Sequence, residues 1–499
     1  MKKLIPRMEK IQQKRKNTSW KDFLIDIASR RPLGFYKTDA GMSRYPQTSN
    51  RRMNLIPRNE YFAKYYQQWE EWQWPVADMS FFDQWRDLFY ETPFPTLNVY
   101  GTNNHNADWG DDIRNGAKNI YLTIVAWDWA ENICYSYKAE TNVTNVFNSV
   151  NITQQSENIY FSKTVRQSRN IFYSKYIYNS SDIWFCAGMT WCQECLMCQD
   201  LTNQSYCIQN VQYDKETYLS KKKELLWQTS LFESYYDAMA WYTWVIASEN
   251  VTWQWIYKSQ DIENGYEVAH MSSSRNVLYS DGGDGSSMCY DSVDCAADRT
   301  QNLYWVLGQA FGEHVYCSAH IVESSFVFYS YMLQNCSYCL WCTRLTNKSY
   351  CIFNKQYTKD ERYDEVDKIF TQMEKDWQLW EFFPWSMNPF YFNDTMAYMV
   401  EPTITKEEVL AKWYLRRDEP IKVDIPAWVQ TVNVADMWKF ESKVSDKLTI
   451  NEDVLKKVLL DDQWNAFRII PMELEFLQRF WLPLPRTHRT DRLKKHFLV

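Results

Sequence analysis

Two sets of four cysteines repeat one spacing: Cys192, Cys195, Cys198 and Cys207, then Cys336, Cys339, Cys342 and Cys351, each C-x2-C-x2-C-x8-C. Four thiolates suit zinc or an iron–sulfur cluster, because these ions favour sulfur donors and a closed tetrahedral site takes four ligands. His314, Cys317 and His320 offer a smaller group of the same kind. A harder cation has its own candidate in the loop "SDGGDGSSMCYDSVDC", which starts at Ser280 and sets Asp281 and Asp284 among glycines. The six histidines sit in no H-E-x-x-H helix and beside no nucleophile elbow, and no glycine loop precedes a helix to cradle phosphate. No catalytic residues are therefore assigned.

The cysteines stand in columns. From Asn158-Ile159, steps of twelve reach Asn170-Ile171, Asp182-Ile183, Glu194-Cys195 and Tyr206-Cys207, and backward steps of thirteen reach Asn145-Val146 and Asn132-Ile133. The second half repeats the rhythm through His314-Val315, Phe326-Val327, Tyr338-Cys339 and Tyr350-Cys351. Three residues beyond the aliphatic position come Ser162, Ser174, Cys186 and Cys198, and six beyond it Val165, Ile177, Met189 and Leu201. Such columns describe coils stacked about 4.8 Å apart, with apolar ladders inside. Cysteine that alternates with isoleucine and serine reads as a small buried hydrophobe, in competition with the metal reading. Residues three apart on a continuous strand face opposite sides, which also favours the ladder.

Elements that end the coils are written nearby. "LTNQSYCI" at Leu201 and "LTNKSYCI" at Leu345 precede Asp214 and Thr358 respectively. Thr358 with Glu361 is a capping-box pattern, and Asp214 is an N-cap residue. The expected helical stripes are Leu219, Leu226, Phe232, Tyr236 and Met239, and Tyr363, Val366, Ile369, Phe370, Met373 and Trp377. The fold expected is mainly β with helical caps: two β-solenoid arrays of twelve-residue period, each ended by a capping helix, plus α+β terminal regions. The divisions are a basic arm and α+β region at 1–125, a first array at 126–214 and a helix region at 215–247. A second array follows at 248–357, then a helix and loop region at 358–440 and a small basic-tailed region at 441–499.

A net charge of −7 argues against a dedicated nucleic-acid binder, yet the ends are basic. Residues 1–31 hold ten Lys/Arg against three Asp/Glu, and residues 486–499 hold five against one; such ends read as solvated arms, with weak nucleic-acid contact through their phosphates as the alternative, and no partner is assigned. No apolar run reaches membrane-spanning length and the N-terminus lacks a signal-peptide core. With an odd thirteen Cys in clusters, reduced thiols and a cytoplasmic location are expected.

The stretches "NKSYCIFNKQYTK", "EFFPWSMNPFYFNDT" and "FRIIPMELEFLQRFWLPLPR" resemble an uncharacterised Cys-rich family of candidate-phyla bacteria, with zinc-ribbon ends around Asn/Cys-rich repeats. The resemblance runs from about Phe35 onward. Its members are sometimes labelled CoA-transferases, a chemistry for which no residues stand out here. The chain departs from the family pattern at its C-terminal end, where Thr487-His488-Arg489-Thr490-Asp491-Arg492 replaces the ribbon cysteines. It departs again where tryptophan occupies glycine positions: Trp341, Trp380, Trp413, Trp464 and Trp481. The chain has 25 Trp and 12 Gly, against roughly 35 Gly in an average chain of this length. The resemblance implies UGA codons read as glycine in the source organism. The function expected is a non-enzymatic scaffold or binding protein. The alternative is a zinc or iron–sulfur protein with nucleic-acid contacts, and behind it a CoA-transferase-like enzyme.

Overall fold

The computed structural model describes residues 19–48, 52–66, 78–99, 103–107, 109–240, 242, 307–310, 312–418, 423–444 and 447–497, with short pieces between 245 and 293. Most of the expected N-terminal basic arm, at 1–18, lies outside the described residues, as does much of the expected second array before 307. The chain is mainly β, with a β-solenoid and several helices, and divides into two compact units. One joins Met1–Thr96 to Thr243–Arg417, the other Leu97–Tyr242 to Asp418–Val499.

In the second of these units, four-residue strands pair in parallel with the next coil: Glu131↔Thr144↔Glu157↔Arg169↔Ser181↔Gln193↔Ser205 on one side, and Tyr137↔Val150↔Lys163↔Lys175↔Ala187 on another. The coils begin earlier than position 126, at Trp109–Ile113 and at the bridges Val99↔Ile113 and His105↔Lys118. The parallel ladder ends at Ser205–Ile208, which pairs antiparallel with Val211–Gln212.

The backbone corrects the expectation that residues three apart face opposite sides. Every third residue adopts a left-handed conformation: Asn158 (φ 58°), Phe161 (51°), Thr164 (52°) and Gln167 (47°) in one coil, and Asn170, Tyr173, Tyr176 and Asn179 in the next. Each left-handed residue turns the chain, so residues three apart all point inward. Ser156, Ile159, Ser162 and Val165 line one coil, and Ser168, Ile171, Ser174 and Ile177 the next, all buried. A left-handed L-residue costs roughly 1–2 kcal/mol, a penalty that the buried columns and in-register hydrogen bonds must offset. Asparagine bears the conformation best, and here it also bonds along the stack. Asn106, Asn119, Asn132, Asn145, Asn158 and Asn170 each donate Nδ2 to the Oδ1 of the next residue in the column, ending on Asp182, at 2.8–3.0 Å.

Coil length varies at one corner. Where the step is thirteen, two consecutive left-handed residues appear, as in Thr141-Asn142 and Gln154-Gln155; where it is twelve, one suffices, as at Gln167 and Asn179.

Outside the solenoid lies a third column that the sequence reading passed over. Phe147, Tyr160, Phe172, Trp184, Leu196 and Ile208 face outward yet are buried. The helix Pro471–Phe480 covers part of this column, with Phe476 at 4.5 Å from Phe147 and Phe480 at 5.1 Å from Phe172, ring to ring. Arg489–Phe497 is a helix docked on the same unit, which corrects the solvated C-terminal arm. Arg492 pairs with Glu473 at 3.0 Å, both buried, and Lys495 with Glu233 at 2.8 Å and Asp237 at 3.0 Å. Asn148 donates to Glu473 at 3.2 Å. His496 receives the Tyr236 hydroxyl on Nδ1 at 2.5 Å and donates Nε2–H to the Asn148 carbonyl at 2.7 Å.

In the other unit the step of twelve recurs. Leu307↔Ala319↔Tyr331 and Glu313↔Ser325 pair in parallel, and parallel bridges continue from Ser325 through Ser337 to Ser349. An antiparallel pair, Cys351–Ile352 with Lys355–Gln356, follows.

Both expected helices form. Lys215–Leu226 starts on Asp214, and Lys359–Lys375 starts on the Thr358–Glu361 capping box. Their buried faces differ from expectation by one position. Tyr218 rather than Leu219 is buried in the first, and Arg362 rather than Tyr363 in the second, while Trp377 is 89% exposed. Val366, Ile369, Phe370 and Met373 are buried as expected, as are Phe232, Tyr236 and Met239 beyond the first helix.

Candidate functional site

Inward-facing positions come every three residues, so Cys192, Cys195 and Cys198 project into one interior, joined by Cys207 from the next coil. Cys336, Cys339, Cys342 and Cys351 do the same in the other unit. All eight are buried.

Two roles divide them. Cys186 and Cys198 continue a serine column in which each side chain donates to a carbonyl two residues back and accepts the amide of the next coil. Ser174 Oγ donates to Phe172 O at 2.8 Å and accepts from Cys186 N at 3.1 Å; Cys186 Sγ donates to Trp184 O at 3.1 Å and accepts from Cys198 N at 3.2 Å. Cys342 follows Ser330 in the same way, as Cys192 follows Ser180 and Cys336 follows Ser324. Cys195 and Cys207 instead continue the isoleucine column, paired in register with Ile183.

The sulfurs of each set gather round one member. Cys336, Cys342 and Cys351 all lie in hydrogen-bond reach of the Cys339 thiol, and these neighbours together with burial push its pKa far up. Cys195 is likewise raised by Cys192 and Cys198, and then by burial. Among the described residues, no three His, Cys, Asp or Glu side chains are arranged to hold one metal ion.

Sequence reasoning missed the residue that distinguishes the two sets. The position 144 residues before Arg362 is Tyr218, the same place in the matching helix. Arg362 is 3% exposed, its Nε and Nη2 have no hydrogen-bond partner, and Cys339 and Cys342 are among the groups that act on its charge. Its ring neighbours are Tyr338 at 5.8 Å and Tyr363 at 5.5 Å. The spacing 362, 366, 369, 370, 373 is the helical stripe itself, and Arg362 escaped notice because it is charged.

The other candidates fare differently. Asp281 and Asp284 lie outside the described residues. His314 stacks on Phe326 at 4.6 Å, His320 sits edge-on to Tyr331 at 5.2 Å, and Cys317 stands in the column of Tyr329, Trp341 and Phe353. A polar groove runs along a corner of the solenoid, lined by Gln155, Glu157, Gln167, Arg169, Asn179 and Gln193 among others. No helix among the described residues is long and apolar enough to cross a membrane.

Each of the five tryptophans expected to replace glycine is left-handed: Trp341 (φ 56°), Trp380 (70°), Trp413 (62°), Trp464 (63°) and Trp481 (55°). Trp129, Trp191 and Trp377 share the conformation. Within the coils the conformation recurs at every third residue, so Trp129, Trp191 and Trp341 share it with Phe161 and Tyr173; outside the coils, at Trp377, Trp380, Trp413, Trp464 and Trp481, a bulky residue at positive φ is an outlier that glycine would adopt freely. Trp481 holds the left-handed place that closes the helix Pro471–Phe480, a position at which glycine is favoured. The buried indole nitrogens of Trp341 and Trp380 have no hydrogen-bond partner.

Compared with protein-family models, curated proteins and solved structures, the chain matches none of them.

Proposed function

We propose that the chain is a non-enzymatic scaffold or binding protein built on a duplicated solenoid, each array closed by the helix that follows its last coil. The observation that carries this reading is the interior of the coils. Their polar side chains bond to one another and to the backbone, as in the serine and cysteine columns, and their apolar columns are buried. What the solenoid offers outward is repetition: the Gln155–Gln167–Asn179 corner groove presents the same polar side-chain types coil after coil. The test is a thermal-shift and turnover screen of the full chain with acyl-CoA esters and divalent cations. No saturable shift from acyl-CoA and no turnover is the expected result; turnover would replace the scaffold reading with an enzyme.

The second reading, a protein that binds metal through its cysteines, is favoured by one observation: the buried Arg362 guanidinium interacts electrostatically with Cys339 and Cys342. Its nucleic-acid half loses support at the C-terminus, where Arg492 and Lys495 are engaged in ion pairs within their own unit.

We also infer that the source organism reads UGA as glycine. Left-handed backbone at Trp380, Trp413, Trp464 and Trp481, which lie outside the coils, supports this, and Trp377 extends the set. Exposed indoles at such places then carry no claim about ligand stacking.

A further inference from the structure

We propose that the Cys336/Cys339/Cys342/Cys351 set, and not its counterpart, takes one monovalent thiophilic cation, copper(I), between Cys339 and Cys342. This rests on the metal reading above and narrows it to one set and one charge. Two independent features meet here. Cys336, Cys339, Cys342 and Cys351 share one buried apolar cluster with Cys339 in hydrogen-bond reach of the other three, and Arg362, buried with two guanidinium nitrogens lacking hydrogen-bond partners, interacts electrostatically with Cys339 and Cys342. A buried cation left without an anion is strongly disfavoured.

Charge selects the ion. When Cys339 and Cys342 each release a proton to solvent and bind copper(I), the complex carries one negative charge, and Arg362 brings the total to zero. Zinc held by four thiolates carries two negative charges and would leave one uncompensated in the core. A two-coordinate ion needs only a pair of sulfurs, and no three His, Cys, Asp or Glu side chains among the described residues are arranged to hold one ion. Soft thiolate donors suit copper(I) as well as zinc and iron–sulfur clusters, so the charge balance makes the choice. The counterpart set has a neutral phenol, Tyr218, where the first has Arg362, so copper there would bring an uncompensated negative charge.

The experiment is an anaerobic titration of the reduced full chain with copper(I) against a chromophoric chelator, with zinc in a parallel arm and sulfur coordination read by X-ray absorption. The expected result is about one copper per chain with two sulfur ligands. Cys339→Ser abolishes uptake and Cys195→Ser leaves it intact. Arg362→Tyr weakens binding by about tenfold or more, in the range seen for residues that support metal ligands, and Arg362→Lys retains it. Circular dichroism and melting of each variant separate lost binding from lost folding, and Arg362→Lys keeps the comparison readable if Arg362→Tyr unfolds. Absence of any metal uptake overturns both this proposal and the metal reading. Uptake that survives Cys339→Ser, or a four-sulfur zinc site, overturns this proposal alone.

Discussion

Asn145 donates its side-chain amide to Asn158 across 2.9 Å, one coil and thirteen residues later, while accepting from Asn132 at 2.8 Å. Asn145 is left-handed at φ 57°, so one residue type serves both the turn and the ladder. Asn145→Ala should therefore lose two hydrogen bonds and acquire backbone strain, lowering stability by about 2–4 kcal/mol. Asn145→Gly keeps the turn and should cost less. Urea denaturation of both variants checks the order, and an alanine variant as stable as the glycine one would refute it.

Cysteine position decides the effect of Cys→Ser. Cys186→Ser restores the residue type that Ser174 and Ser162 already show in that column and should be near neutral. Cys195→Ser puts a hydroxyl among isoleucines and should cost about 1–3 kcal/mol. Denaturant midpoints measure the difference. The same burial predicts that thiol reagents label these cysteines only as fast as the coils open.

The Arg492–Glu473 pair is buried on both sides. Glu473→Gln leaves Arg492 charged without its carboxylate and should destabilise by about 3–5 kcal/mol. A melting temperature unchanged by this substitution would show the pair to be dispensable.

Two histidines set an acid limit. Burial holds His496 at about 3, aided by Lys175, Lys163 and Lys495 and opposed by the Asn148 carbonyl. His488 is also at about 3, through burial, Arg489 and Arg492. An unfolded imidazole titrates near 6.5, so between about 6.5 and about 3 the unfolded chain binds more protons than the folded one. Stability from these groups is complete above about pH 6.5 and falls as pH drops through that window, by up to about 1.4 kcal/mol per pH unit for each histidine. Unfolding free energy measured across this range checks the slope, which should become shallower in His496→Gln.

Recoding predicts peptide masses. Tryptic mass spectrometry of protein from its native host should show glycine at Trp341, Trp380, Trp413, Trp464 and Trp481, and UGG codons at those places would end the idea.

The columns were legible because each inward position accepts a narrow range of side chains, so Ile159, Ile171, Ile183 and Cys195 line up without any structure. The three-residue turn was not legible. Left-handed positions hold Asn158 and Asn170 but also Phe161, Tyr173 and Thr164, which carry no glycine-like signal. The outer column of Tyr160, Phe172 and Trp184 could be read from the same period, but its cover could not. The ring of Phe476, which stacks on Tyr160 at 6.1 Å, arrives from a helix near the far end of the chain, and no short pattern encodes such a pairing. Arg362 could have been read from its spacing to Val366, but charge disguised it as a solvated residue.

The corner at which coils of thirteen residues become coils of twelve has a consequence for how such a chain can change. An added residue is absorbed there as a second left-handed turn, at Thr141-Asn142 or Gln154-Gln155, while Val146 and Ile159 stay in register on either side. Insertions at that corner are thus insulated from the inward columns. A single added residue that would flip every side chain of an ordinary strand is taken up there as one more turn.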